Sequence, residues 1–163
     1  MLTSSTRKYN TKGRNSAFTL IELVIVIFII SLTTALILPN FWDNGEKALR
    51  SEAKHIANTL RYIYDEAAGK KLTYTLKVNI NESSWGFESE NESRDFGMKE
   101  DIEFRDIIIP SLGRITTGEA ILPFGPLGPE EPLTLHLLKN ELEYTVIFNH
   151  LNGRVKVYEG YRT

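Results

Sequence analysis

The feature that most constrains the fold is an apolar run of twenty-one residues near the start of the chain. It extends from Phe18 to Leu38, reads FTLIELVIVIFIISLTTALIL, and contains one ionisable residue, Glu22. At about 1.5 Å per residue, a helix of this length spans roughly 31 Å, which is about the hydrocarbon thickness of a bilayer. The run therefore predicts a transmembrane helix over residues 18–38.

The residues that precede this run are polar and cationic. Residues 1–17 contain Arg7, Lys8, Lys12 and Arg14 and no acidic residue, and a positively charged flank favours the cytoplasmic side of a membrane. The apolar run is too long for an ordinary signal peptide, and no small-x-small cleavage site closes it before Pro39. The sequence therefore predicts an anchor that is kept, or one that is processed differently from a secretory signal.

The string AFTLIELVIVIFIISLTTALILPNF resembles the class III leader and N-terminal helix of type IV prepilins and pseudopilins. The resemblance implies that a prepilin peptidase cleaves between Ala17 and Phe18, removing residues 1–17 as a cytoplasmic leader. It also implies N-methylation of Phe18 and retention of the apolar helix. The chain departs from the family pattern in carrying Ala17 where glycine is usual.

Glu22 is the one carboxylate within the apolar run. A lone carboxylate deep in lipid is unfavourable by roughly 2.5–3.5 kcal/mol, so it favours states in which it finds a positive partner. The resemblance implies that this partner is the amine of Phe18 on a neighbouring subunit, and that the pair guides filament assembly. The alternative is an interfacial glutamate of a plain anchor that reaches water at the membrane surface.

The segment 39–69 is predicted to be an amphipathic helix. Pro39 should kink or interrupt the preceding helix because it lacks a backbone donor, and Asp43 with Glu46 would cap a restarted one. Apolar residues then recur at spacings of three and four, which is the pattern of one buried helix face: Leu49, Ala53, Ile56, Leu60, Ile63 and Ala67. Gly69 and Lys70 are suited to the helix end.

Residues 70–163 are predicted to form a β-rich head. Apolar residues alternate at 74–80 and 142–148, LTLHLL begins at Leu133, and Asn152 with Gly153 is a hairpin signal. NINESSWGFE, residues 79–88, predicts a turn that leads into a second short strand. The rest of the acidic stretch between Glu82 and Asp106 is interpreted as a mostly solvated loop, with calcium binding as the weaker alternative because no pattern of alternating ligands is present. The predicted fold class is α+β, with a long N-terminal helix packed against a C-terminal β-sheet head.

The β region, with LPFGPLG and a final hairpin containing GRVKV, is similar to the GspH/FimT group of minor pilins. This resemblance implies a minor pseudopilin near the tip of a type II secretion pseudopilus, which supports protein export across the outer membrane. It implies a single-pass inner-membrane protein with a periplasmic head. Its partners would be other pseudopilins and the prepilin peptidase, and it implies no cofactor.

An enzyme is the first rival class. His55, His136 and His150 lie in different predicted elements, and the chain has no metal-binding histidine motif, phosphate loop, nucleophile elbow or cysteine. We expect all three histidines to be at the surface or half-buried. The sequence therefore predicts a non-catalytic protein without a metal site.

Nucleic-acid binding is the second rival, as in a FimT-like minor pilin of a type IV pilus that takes up DNA. Arg154, Lys156 and Arg162 are interleaved with Tyr158 and Tyr161, which is typical of backbone contact and base stacking. Removal of the four leader cations, however, takes the formal net charge from −2 to −6. An acidic protein is poorly suited to phosphate, so nucleic acid is the less favoured partner.

Overall fold

The computed structural model describes residues 19–99 and 101–163, and for residues 35–44 it describes the backbone alone. The chain divides into two compact units between Asn40 and Phe41. One helix precedes nine strands, and all the strands lie in the second unit: α1 Leu20–Lys70, β1 Tyr74–Asn79, β2 Ser84–Glu88, β3 Ser93–Gly97, β4 Glu103–Ile109, β5 Gly113–Ile115, β6 Glu119–Phe124, β7 Leu133–Lys139, β8 Leu142–Asn149 and β9 Arg154–Glu159.

The helix α1 is a single element of 51 residues. The cap and restart expected at Asp43 are therefore wrong, because a proline removes one backbone donor while the other donors of a long helix can stay paired. A kink at Pro39 stays a prediction. The helix ends at Lys70, and the residue that takes the left-handed conformation is Lys71, with φ of 57°, rather than Gly69.

The amphipathic pattern of α1 within the second unit is confirmed. The six apolar residues predicted to share one face are at most 1 % exposed, namely Leu49, Ala53, Ile56, Leu60, Ile63 and Ala67. Four cations predicted to lie off this face are exposed: Lys47, Arg50, Lys54 and Arg61. Burial of one apolar stripe against the strands is what stabilises this part of the helix.

The nine strands form two antiparallel sheets. The first sheet has the order β3-β2-β1-β6 and the second has the order β5-β4-β7-β8-β9. One side of each sheet is apolar, and together with the helix stripe these two inner faces make one hydrophobic core. Its strand residues include Tyr74, Leu76 and Val78 of β1, Leu133, Leu135 and Leu137 of β7, and Tyr144, Val146 and Phe148 of β8.

The acidic stretch is more ordered than predicted. Three strands cross it, and β3 (Ser93–Gly97) pairs with β2 along its full length. Most side chains of β3 are exposed, so β3 has no apolar alternation that could have indicated a strand. Backbone pairing at the edge of a sheet, rather than burial of side chains, makes this segment a strand.

Two glycines of the head pack directly against the ring of Tyr64. Gly128 and Gly153 have φ of 88° and 63°, and a Cβ atom at either position would overlap the Tyr64 ring. Gly153 also completes the predicted turn between β8 and β9, where the Asn152 side chain accepts a hydrogen bond from the Arg154 amide at 3.0 Å. The observed architecture confirms the predicted α+β fold of a long helix and an antiparallel β head.

Candidate assembly site and head surface

The first turn of α1 forms a hydrogen-bonded cap around Glu22. The Thr19 amide and the Thr19 hydroxyl both donate to Oε2 of Glu22, at 2.9 and 3.0 Å. The Glu22 amide donates in return to Oγ1 of Thr19 at 3.3 Å. This is a capping box, in which a threonine at the N-cap and a glutamate three residues later satisfy each other's backbone donors.

The capping box gives Glu22 a local role that sequence reasoning did not assign. The motif was visible as Thr-x-x-Glu, but the carboxylate was interpreted only as a partner for a positive charge. Both residues are exposed, so one carboxylate oxygen is engaged within the chain while the carboxylate remains accessible. The described geometry thus leaves Glu22 able to accept a further hydrogen bond from a cation.

The other predicted assembly residues lie largely outside the part of the chain that the structure describes. Ala17 and Phe18, the predicted cleavage and methylation positions, are outside the described residues, and so is the side chain of Pro39. The backbone at Pro39 belongs to α1. Cleavage between Ala17 and Phe18, and methylation of Phe18, therefore stay predictions.

The described part of α1 within the first unit exposes its apolar side chains. Eleven large apolar residues between Leu20 and Leu32 are 45–81 % exposed. Ser31, Thr33 and Thr34 turn their hydroxyls back onto helix carbonyls one turn earlier, as Ser31 does to Ile27 at 2.8 Å. Such bonds hide the hydroxyl groups from an apolar environment.

Among the described residues, no helix is both long enough and apolar enough to cross a membrane.

The structure brings the three predicted C-terminal cations to one surface. The face of the second sheet that points away from the core is called here the outer face. Arg154 and Lys156 are alternate residues of β9 and lie on this face, in register with Asn149 and Ile147. Arg162 follows β9, and its guanidinium is 4.9 Å from the ring centroid of Tyr158 on the same face.

The outer face also holds a buried pair, His136 and Asp106, that the sequence did not bring together. His136 of β7 is completely buried, and its Nδ1 is 2.5 Å from Oδ1 of Asp106 on β4. The expectation of a surface or half-buried histidine is therefore wrong at His136. The alternation of β7 predicts an outward side chain there, but the residues that cover it come from the C-terminus, and no local pattern could have indicated that.

His55 and His150 do not join His136 in a site. His55 lies on α1 with a side chain that is 46 % exposed, 3.6 Å from Glu52. His150 lies in the turn after β8 and is half-buried. In the described part of the chain, no three histidine or acidic side chains are grouped so as to hold a metal ion.

Comparison with known protein families finds a match at the N-terminal segment. Residues 12–38 match the family described as the prokaryotic N-terminal methylation motif. No curated protein sequence matches the chain significantly. The match is confined to the N-terminal segment, and it overlaps the first part of α1.

The fold is also similar to that of a solved structure. The chain is similar to the minor pseudopilin EpsH from the Type 2 Secretion System of Vibrio cholerae, with a TM-score of 0.51 and 15 % identity. The similar region covers 68 % of this chain and 96 % of that one. At this identity the comparison concerns the fold, and it confirms the predicted helix-and-sheet architecture.

Proposed function

We propose that this chain is a non-catalytic minor pseudopilin of the GspH/FimT group. In this proposal, prepilin peptidase cleaves between Ala17 and Phe18 and Phe18 is N-methylated. Residues 18–38 anchor the chain in the bacterial inner membrane with the head in the periplasm. The protein then joins other pseudopilins near the tip of a type II secretion pseudopilus and supports protein export.

The observation that carries the proposal is the position of Glu22. A methylation-type motif matches residues 12–38. Glu22 within it lies on the first turn of α1, where the large apolar side chains from Leu20 to Leu32 are exposed. An accessible carboxylate in an apolar segment favours assembly with a cationic partner over isolation in lipid. The terminal amine created at Phe18 of a neighbouring subunit would be that partner.

The capping box allows the charge of Glu22 to be tested separately from its hydrogen bonds. Glutamine at the third helical position can also complete a capping box, whereas valine cannot. We therefore expect Glu22→Gln and Glu22→Val both to be cleaved normally and both to lose function. Pro39→Ala, as a matched change elsewhere in the helix, should affect function less.

The measurement is export of secreted enzymes into the medium from a deletion strain complemented with each variant, with removal of the leader followed by immunoblot. Lost export with normal cleavage for both Glu22 variants would support a charged assembly contact. Normal export with Glu22→Gln would show that the capping box, and not the charge, is what matters. Total loss with Pro39→Ala would contradict the smaller role given to that residue.

The alternative is a FimT-like minor pilin that binds DNA during uptake. The arrangement of Arg154, Lys156 and Arg162 on one face favours it. The face also holds the carboxylates of Asp106 and Glu143, and Glu143 is paired with Arg105, which weakens a positive field for phosphate. Normal export with loss of natural transformation in the deletion strain would favour this alternative over the secretion role.

A further inference from the structure

The last residues of the chain form a strap over the outer face of the second sheet. The strap is defined here as residues 160–163, which follow β9. The hydroxyl of Thr145 donates to the Gly160 carbonyl at 2.7 Å and accepts a hydrogen bond from the Arg162 amide at 3.1 Å. Thr145 is completely buried, so the strap backbone is held by a side chain that it covers.

Between these two contacts the side chain of Tyr161 lies flat on His136. The ring centroids are 4.0 Å apart and the planes differ by 16°. Arg105 and Arg114 place their guanidinium carbons 4.9 and 5.5 Å from the centroid of Tyr161, and Arg114 donates to the Tyr161 hydroxyl. The strap therefore seals His136 from solvent.

His136 faces an acceptor at each ring nitrogen. Nδ1 is 2.5 Å from the Asp106 carboxylate and Nε2 is 2.7 Å from the Arg162 carbonyl. A carbonyl and a carboxylate only accept hydrogen bonds, and a neutral imidazole has one N–H to donate. While Asp106 is ionised, the imidazolium is thus the form of His136 that satisfies both neighbours.

We propose that His136 is a protonated catch that closes the strap, so that the strap opens when this proton is lost as the pH rises. Deprotonation leaves one ring nitrogen facing an acceptor within a buried site, which is unfavourable. Asp106 and His136 are directly paired across β4 and β7 of the sheet, whereas Arg162 lies in the strap, outside the paired strands. The strap contact is therefore the one that should break.

The charges around His136 come from every element packed on it. Asp106 on β4 is negative, and it is 3.9 Å from the guanidinium of Arg114 on β5. Arg105 of β4 is paired with Glu143 of β8, while Arg162 of the strap extends over Tyr158 of β9. The Tyr161 ring attracts positive charge through its face. Asp106 and Tyr161 favour the imidazolium, and the Arg114 charge opposes it.

The test is a pH titration of the full chain in detergent micelles, with nitrogen NMR of the histidine rings and amide exchange at Arg162. We expect His136 to carry a proton on both ring nitrogens when the Arg162 amide is protected. On raising the pH, one ring proton of His136 should be lost in the same step in which the exchange protection of the Arg162 amide falls. For a single linked proton, this protection should fall about tenfold per pH unit. A singly protonated ring beneath a protected Arg162 amide would overturn the proposal.

Asp106→Asn provides a matched variant of the same shape. An asparagine amide can donate to Nδ1 of a neutral His136, whose Nε2–H then donates to the Arg162 carbonyl. We expect the strap of this variant to stay closed with a singly protonated ring and to lose its pH dependence. Opening of the strap in Asp106→Asn at the same pH as in the wild-type protein would contradict the proposal. If the variant does not fold, the wild-type titration decides alone.

Discussion

The two halves of α1 have the same backbone structure but opposite relations to their surroundings. In the first unit, the apolar side chains from Leu20 to Leu32 are 45–81 % exposed. In the second unit, Leu49 and Leu60 on the same helix are completely buried against the strands. A helix that is apolar all round and one that has a single apolar stripe require different environments.

The comparison shows that helix formation alone does not identify the role of a segment. The second half gains its stability from the head core, which accounts for its stripe and for its exposed cations. In the first half, apolar side chains cover every side of the helix, and this is the pattern expected of a lipid or filament environment. The three predictions below test how far the two halves depend on different contacts.

The largest effect is expected from removing a buried side chain of the stripe. Leu60→Ala should lower the free energy of unfolding of the head by about 2–5 kcal/mol, because it leaves a cavity in the core. Ile27→Ala, an equivalent truncation at a side chain that is 56 % exposed, should leave head stability nearly unchanged. Urea unfolding of both full-length variants in detergent, followed by circular dichroism, measures the difference. Equal losses would show that the two halves share one cooperative core.

A smaller effect is expected where the second half of the helix meets a tight turn. Gly153 has a left-handed backbone conformation, and Gly153→Ala places a Cβ against the Tyr64 ring. We expect overpacking to lower the free energy of unfolding by about 1–3 kcal/mol, in addition to the effect of the left-handed conformation. Gly118→Ala is the matched control, since it has φ of 85° and open space around its Cβ. Unfolding midpoints of the two variants compare them. A Gly118→Ala loss as large as that of Gly153→Ala would exclude the Tyr64 contact as the cause.

The smallest effect concerns the contact of Tyr144 with the helix at high pH. Burial and the nearby Glu46 carboxylate raise the pKa of Tyr144 above its ordinary value of 10.0, and the hydroxyl lies 3.4 Å from Glu46. The folded state therefore holds this proton more tightly than the unfolded state does, so stability falls as the pH rises above about 10. Tyr144→Phe should reduce this fall. An unchanged pH profile would assign the fall to other groups whose pKa is raised, such as Tyr62 and Lys77.

Patterns that are local in sequence were predictable. The stripe from Leu49 to Ala67 and the alternation of β1 follow from the helix and strand periods, which burial on one face imposes. The Thr19–Glu22 motif is equally local, although its capping role was not assigned from the sequence. The polar edge strand β3 was missed because its pairing leaves no apolar signature.

The environment of His136 could not be predicted, because residues that are distant in the sequence form it. Its partners Asp106 and Arg162 are 30 and 26 residues away in the chain, and its cover comes from a segment after the last strand. Arg154, Lys156 and Arg162 were considered as a possible DNA contact, which was the less favoured interpretation. Arg105 and Arg114 of the same face were not considered with them, because they belong to distant strands. Only the sheet order brings these side chains together.

The strap also determines where the protein tolerates a fused sequence. Thr163 directly follows Arg162, whose amide and carbonyl are both hydrogen-bonded to buried side chains. A purification tag fused directly after Thr163 would therefore disturb the hydrogen bonds that hold the strap on the outer face. The turn around Leu112, a side chain that is 61 % exposed beside a glycine with open space around it, is the better insertion point for a tag or a crosslinking label.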